Sequence, residues 1–258
     1  MTVGRGNETL KAIRRLRRRQ GDHALLEGPH LLAEALAAGL PLESVLATPR
    51  FLSGAEGRRL LAGLRRAPLE VDEERLAELC DADSPRGVLA LARLPRAGAE
   101  ALPPRPSGPV LYLDGLQDPG NLGAIARVAE AFAASGLALA PGCAHPNHPR
   151  ALRASAGSLL RLPVAREVDV AALDQRLRAA RPLWAALEAH GGAPPGRGAV
   201  RDRALVVALG AEGPGLSAPV ARRCDLRWTL ALAGGVESLN VAVAAAVTLY
   251  ALRAGGAS

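Results

Sequence analysis

The chain is nearly bare of aromatic residues: two Phe, two Trp and two Tyr in 258 positions. A core organised around stacked rings is excluded, and Leu, Val and Ala must fill the interior by number and fit. Lysine is almost absent too, Lys11 being the only one, so the positive charge is carried by arginine. The three cysteines, Cys80, Cys143 and Cys224, are odd in number, far apart and form no CxxC pair. That excludes a disulfide scaffold and points to reduced thiols in a cytoplasmic protein. The longest apolar run, Val241 to Leu252 broken by Thr248, falls short of the ~20 residues that a bilayer requires. No membrane span is expected, and no secretion signal is visible. Neither GxGxxG nor GxxxxGK occurs, which removes the main support for dinucleotide-binding and P-loop readings. His145 and His148 lie near Cys143, but Pro146-Asn147-His148-Pro149 reads as a turn, and no metal site is expected.

What is present is an apolar chain, 49% hydrophobic, with 32 basic against 25 acidic residues. Such apolar content argues against disorder. Arginine forks phosphates and stacks on bases, so this balance suits nucleic acid. A GC-rich codon bias, which favours Arg, Ala, Gly and Pro, would produce the same composition. Residues 1–100 hold 16 basic and 14 acidic groups and residues 101–258 hold 16 and 11, so no single tail carries the excess. The densest run is 11–19, with Lys11, Arg14, Arg15, Arg17, Arg18 and Arg19. Ile13 and Leu16 give it a narrow apolar stripe, as on a helix. A solvated face and a phosphate grip both remain open for it.

From Ala24 strands and helices alternate. Strands are expected at 24–27, 42–47, 69–71 and 87–94, with helices over 29–38, 54–65 and 72–80. Pro29 opens the first helix and Gly39 closes it. This makes a compact α/β/α unit over 1–94. Residues 95–109 contain five prolines and two glycines and read as a linker. A second domain, 110–258, has strands at 110–113, 137–140, 164–167, 183–187, 204–209 and 226–232. Its helices are expected over 122–134, 151–160, 170–180 and 240–253. The alternation implies a parallel sheet covered on both faces.

Three segments follow strands of that second domain, where open α/β sheets place their ligands. In 111–132, LYLDGLQDPGNLGAIARVAEAF, Asp118-Pro119-Gly120 makes a turn and Asn121 is placed to cap the next helix. Arg127 lies more than one turn further on. In 209–217, LGAEGPGLS, the glycines Gly210, Gly213 and Gly215 allow a close backbone approach to a ligand. Glu212 would repel phosphate and suits a cationic partner, an arginine or a positively charged cofactor. In 230–250, Ser238-Leu239-Asn240 precedes a helix that is apolar all round, buried in the domain or against a second subunit. Capping, glycine turns and a surface arginine would account for each segment taken singly.

Together and in this order they resemble the three motifs of the SpoU (TrmH-like) RNA 2′-O-ribose methyltransferases: D-P-G-N-x-G-x-x-x-R, L-G-x-E-G-x-G-L-S and E-S-L-N-V-x-V-A. Arg153-Ala154-Ser155-Ala156-Gly157 resembles a fourth family segment. The resemblance implies an α/β fold: a trefoil-knotted, parallel-sheet methyltransferase domain that forms a homodimer, behind a smaller α/β/α substrate-binding domain similar to a ribosomal protein. It implies S-adenosylmethionine as cofactor, held mainly by backbone, with Leu187, Gly210, Leu230 and Leu239 at the matching positions. It places Arg127 as the catalytic arginine, with Asn121, Glu212, Ser238 and Asn240 around it. The family proposal makes that arginine a general base; a charged guanidinium that pins phosphate and stabilises a developing alkoxide would serve as well. The family's Ile-Pro-Met before the last motif is here Leu230-Ala231-Leu232, which leaves backbone contacts possible but alters loop stiffness.

The implied activity is methylation of a ribose 2′-hydroxyl in structured RNA, ribosomal RNA favoured over tRNA. A non-catalytic RNA-binding protein on this fold would have no use for Asn121, Arg127, Glu212 and Asn240 together, and a small-molecule enzyme would not explain the basic helix. With that helix gripping phosphates, RNA affinity should fall steeply between low and moderate salt in a filter-binding titration; a flat response would remove it as the grip.

Overall fold

The computed structural model describes residues 8–18, 21–81, 85–95, 97–196, 198 and 203–254. In chain order the elements begin α1 (Glu8–Arg18), β1 (His23–Glu27), α2 (Pro29–Ala37), β2 (Leu42–Ala47), α3 (Pro49–Ser53), α4 (Ala55–Leu61), β3 (Leu69–Glu70), α5 (Glu73–Leu79) and β4 (Val88–Arg93). Next come β5 (Val110–Asp114), α6 (Pro119–Ala131), β6 (Gly136–Leu139), α7 (Pro149–Ser155), α8 (Ser158–Arg161), β7 (Val164–Ala165) and α9 (Val170–Leu177). The last are β8 (Leu183–Leu187), β9 (Leu205–Gly210), α10 (Ala218–Arg223), β10 (Leu226–Trp228) and α11 (Val241–Ala254). Contacts divide the chain into two compact units, Met1–Pro95 with His145–Arg161, and Arg96–Ala144 with Leu162–Ser258. No helix among the described residues is long and apolar enough to cross a membrane.

In the first unit the sheet runs β1-β4-β2-β3, with β4 antiparallel to both its neighbours. Residues Val88 to Ala92 are all buried, as a central strand requires. The apolar stripe of α1 docks there: Leu10 and Ile13 join Leu76, Leu79 and Leu91 in one core. Its outer face is left to Arg14 and Arg15, which are exposed, Arg14 donating to Glu78 at 3.1 Å. After α2, Gly39 takes φ +65°, and Leu40 N–H bonds Ala35 C=O at 3.0 Å, so the glycine ends the helix as expected. The helix expected over 54–65 forms as α4, ending at Leu61, and a short α3 that was not expected precedes it. Pro49 starts α3 one residue after Thr48, whose hydroxyl accepts from Phe51 N–H, and Gly54 is extended between α3 and α4.

The second unit holds a six-stranded, wholly parallel sheet in the order β10-β8-β9-β5-β6-β7. Alternation along β5 and β9 puts Val110, Tyr112, Val206 and Ala208 in one core with Leu173, Leu177 and Val220 of α9 and α10. Leu111, Leu113, Val207 and Leu209 point the other way and are also buried. Helices α6 and α11 pack on each other. Although rings are scarce, two sit at the centre. Tyr112 and Trp184 are buried with centroids 5.1 Å apart, and their polar atoms reach Val168 C=O and the Asp174 carboxylate. Strand β10 stops at Trp228, short of the expected Leu232, and α10, only six residues long, has too little apolar period to be read beforehand.

Segment 145–161, expected to belong with 110–258, packs instead within the first unit. Its one expected helix breaks into α7 and α8 at Ala156 and Gly157, both at positive φ. The Asn147 amide donates to Gly21 and Leu94 carbonyls, each at 3.0 Å, and Arg161 pairs with Glu34. Arg153 carries most of the attachment, at 2.6 Å from Glu27 and 2.8 Å from Asp81. The Glu27 side chain is only 2% exposed and also accepts from Asp81 N–H at 2.7 Å, so the guanidinium compensates the charge of a buried carboxylate. Arg153→Ala should cost about 2–4 kcal/mol in urea unfolding, because a buried carboxylate loses its counter-ion. Glu27→Gln added to Arg153→Ala should restore part of the loss; a single-variant cost under about 0.5 kcal/mol would show the pair to be idle.

Candidate active site

Parallel pairing sets the carboxyl ends of β5 and β9 level, Asp114 opposite Gly210. Here the strand order reverses direction, since β5 leads to β6 on one side and pairs with β9 on the other. Beyond β9 the chain folds back at once: Ala211 and Gly215 exchange two backbone hydrogen bonds at 3.0 and 3.2 Å. A Cβ on Gly210 would lie 2.2 Å from Gly215 backbone, so the glycine is required by its own loop. Asp114 accepts from Ser217 N–H at 2.6 Å and ties the base of this loop to β5. Sequence reasoning passed over Asp114; the available signal was a carboxylate ending a strand otherwise apolar throughout.

Helix α6 begins three residues before its apolar pattern does. Asp118 caps it, accepting from Gly120 N–H at 2.7 Å, and Pro119 takes the first turn. Asn121, expected as the cap, therefore lies inside the first turn with its amide available. That amide donates to Glu212 at 2.9 Å, while its carbonyl oxygen accepts from Asn240 at 3.0 Å. Asn240 also donates to the same Glu212 oxygen at 3.2 Å. In addition Asn240 caps α11, its Oδ1 accepting from Ala242 N–H at 3.0 Å. Capping and site-building were alternatives in the sequence; one side chain does both.

Glu212 was expected to face a cation. Within this chain it is held by two neutral amides through Oε1, while Oε2 has no protein partner among the described residues. Arg127 is not brought to it. Six residues beyond Asn121 on α6, it sits about 9 Å further along the axis and on another face. It is exposed and forms no hydrogen bond or ion pair among the described residues.

The cluster borders a cavity of about 890 Å³, lined by the segments after β8, β9 and β10. Leu187, Gly210, Leu230 and Leu239, the four expected cofactor positions, all line it, as do Glu212, Ser238 and Asn240. Sequence reasoning missed Glu188, His190 and Glu237 on the same walls. Only neighbouring loops of a closed sheet reveal them. Of the three carboxylates in the lining, Glu188 pairs with Arg227 at 2.5 Å, while Glu212 and Glu237 meet no cation among the described residues, a balance that suits a cationic, partly apolar molecule such as a sulfonium bearing an adenosine. Burial pushes the Cys143 thiol up, and the Cys224 thiol up to about 11, so neither supplies a thiolate nucleophile. His145 and His148 accept from Asn147 and Arg150 N–H groups and order the turn before α7. Of the expected RNA-binding arginines, Arg14 and Arg15 are exposed; Arg17 and Arg18 lie on α1 with side chains outside the described residues, and Arg19 lies outside them altogether.

Residues 108–250 match the SpoU rRNA Methylase family and residues 7–90 the MRM3-like substrate binding domain. An uncharacterized tRNA/rRNA methyltransferase of Synechocystis sp. is 34% identical, over 96% of this chain and 91% of its own length. The 23S rRNA (guanosine(2553)-2′-O)-methyltransferase of Bacillus subtilis is 28% identical, over 89% of this chain and 88% of its own. The crystal structure of the SpoU methyltransferase AviRb from Streptomyces viridochromogenes, in complex with AdoMet, superposes with TM-score 0.87 at 26% identity, covering 98% of this chain and 99% of that one. The chain belongs to the SpoU family of RNA methyltransferases, whose cofactor is S-adenosylmethionine.

Proposed function

We propose that the protein methylates a ribose 2′-hydroxyl of ribosomal RNA in the cytoplasm. The observation that carries this reading is the Asn121–Glu212–Asn240 cluster on the rim of a cavity fit for a sulfonium cofactor. S-adenosylmethionine supplies a methyl that bonds to the ribose oxygen while the carbon–sulfur pair returns to sulfur and the hydroxyl proton passes to solvent. Leu187, Gly210, Leu230 and Leu239 hold the donor by backbone and apolar contact. Asn121, Ser238 and Asn240 fix the direction from which the hydroxyl approaches, and alignment of this kind is worth several orders of magnitude in rate. Arg127 keeps its charge, pins a substrate phosphate and stabilises the alkoxide as it develops.

Since Arg127 stands apart from its own chain's cluster, the working enzyme is a homodimer that sets it beside a partner's Glu212. The surface of α11 supports this. Val243, Val247 and Tyr250 are 48%, 44% and 63% exposed and fall at i, i+4 and i+7, one apolar stripe on a helix packed against α6. Tyr250 also meets Phe132 at the end of α6, with ring centroids 6.2 Å apart. The trefoil knot of the family belongs to the same reading, with α11 as the final threaded element.

Mass spectrometry of rRNA and tRNA from a deletion strain tests the reaction. One 2′-O-methyl group should vanish from rRNA; loss from tRNA would replace the substrate, and no loss would reject the activity. Arg127→Ala should lower kcat/KM by about 10²–10³-fold with cofactor affinity and thermal stability unchanged. Full activity would remove Arg127 from the mechanism. Mixing Arg127→Ala with Glu212→Ala subunits should regain part of the rate if the two groups meet across the dimer. Val247→Arg with Tyr250→Ser should give monomers in light scattering and lose most activity; an active monomer would refute the shared site.

A further inference from the structure

A second cavity, about 460 Å³, is walled by residues 114–118, Asn121, residues 211–212 and residues 214–217. It shares Ala211, Glu212 and 214–216 with the larger one, so this loop stands between the two. We infer that the smaller cavity receives the acceptor nucleoside itself, ribose and base turned out of the RNA stack, and that Gln117 reads the base. The inference rests on the RNA methyl transfer proposed above.

Placement is the first reason. Two cavities that meet at one loop, with Glu212 lining both and Asn121 the smaller, suit a donor and an acceptor that approach the same carboxylate from its two sides. Charge is the second. Asp114, Asp118 and Glu212 line the smaller cavity with neither lysine nor arginine, which repels phosphate and accepts hydrogen-bond donors. The phosphates must therefore stay outside, and the part of a nucleotide that enters is its uncharged part. Size agrees, since about 460 Å³ lies within the usual range for small-ligand sites, roughly 300–1,000 Å³. A single nucleoside reaches such a site only when it is unstacked, as in loops and bulges.

The wall is built before any RNA arrives: Asp114 is held by Ser217 N–H, and Asn121 and Glu212 hold each other. Gln117 differs. It is exposed and forms no hydrogen bond among the described residues, yet its amide offers both donor and acceptor. Glutamine pairs in two-point fashion with base edges. Among carboxylates, the favoured base is one with an exocyclic amine: guanine, adenine or cytosine rather than uracil.

The test uses the full-length enzyme and an RNA fragment spanning the mapped methylation site, with the target base exchanged or removed. For the wild type, uracil at that position should lower kcat/KM about tenfold or more. Gln117→Ala should cost about tenfold on the natural fragment, mostly in KM, and nothing on the abasic fragment, with cofactor affinity in calorimetry unchanged. Gln117→Trp, which fills the cavity, should stop methylation and leave cofactor binding intact. Wild-type behaviour of both variants, or an equal loss from Gln117→Ala on the abasic fragment, would overturn the inference while leaving the RNA activity standing. A wild-type enzyme that binds the cofactor yet methylates no RNA would bring down the underlying reading as well.

Discussion

The site depends on one carboxylate oxygen. Glu212 Oε1 accepts from the amides of Asn121 and Asn240, and so joins the start of α6, the loop after β9 and the start of α11 at one point. The backbone makes that point rigid. Gly210 has no Cβ, which lets Gly215 return against it, and the Ala211–Gly215 bridge holds Glu212 in the closed part of the loop. Asp114 fastens the far end of the same loop through Ser217. Any displacement of α11 would move Asn240, because the oxygen that caps the helix and the nitrogen that grips Glu212 belong to one amide. The final helix is thus coupled to the chemistry through its first hydrogen bonds.

Neutral amides around a carboxylate have a chemical consequence. An arginine placed there would cancel the charge of Glu212 within the chain. Two asparagines orient it and leave it negative, so the rim keeps its attraction for a cationic methyl donor. They also leave Oε2 open to a group brought from outside. Arg127 is exposed and stands apart from the cluster of its own chain, so in the homodimer proposed above a guanidinium would reach Oε2 only from the partner subunit.

The sequence made the alternation of elements legible, because buried parallel strands are continuous apolar runs and their flanking turns carry glycine and proline. Motif order named the candidate site residues, of which the structure joins Asn121, Glu212 and Asn240 and leaves Arg127 apart. Their geometry was less legible. Asn121 stood directly before the apolar period of α6 and read as its cap, yet Asp118 followed by Pro119 is the stronger start, and the helix both begins and ends three residues earlier than expected. Glu212 was rightly singled out as odd in a glycine loop, but its partners are 91 and 28 residues away, beyond any local pattern. Segment 145–161 shows the same limit. Arg153 meets Glu27 and Asp81 across 126 and 72 residues, and no periodicity signals a pairing of that kind. The basic helix, by contrast, was readable on its apolar side, since Ile13 is buried in the core and Leu16 packs against it, while Leu10, one helical repeat earlier, extends the stripe.

One wall of the larger cavity is closed by a backbone bridge and the other is a stretch outside helix and strand. The bridged wall is the loop after β9; the other is the long stretch from Thr229 to Asn240, which departs from β10 once Trp228 has paired. Leu230 and Leu232 both line the cavity while Ala231 is exposed, so alternate side chains serve the wall even though the sheet has ended. This explains why Leu-Ala-Leu can stand where relatives of the family carry Ile-Pro-Met. The inward positions remain aliphatic, and the change falls on an outward residue whose main effect is on backbone freedom. A donor recognised by carbonyls, amides and aliphatic surface tolerates such an exchange; one recognised by a charged side chain at that position would not.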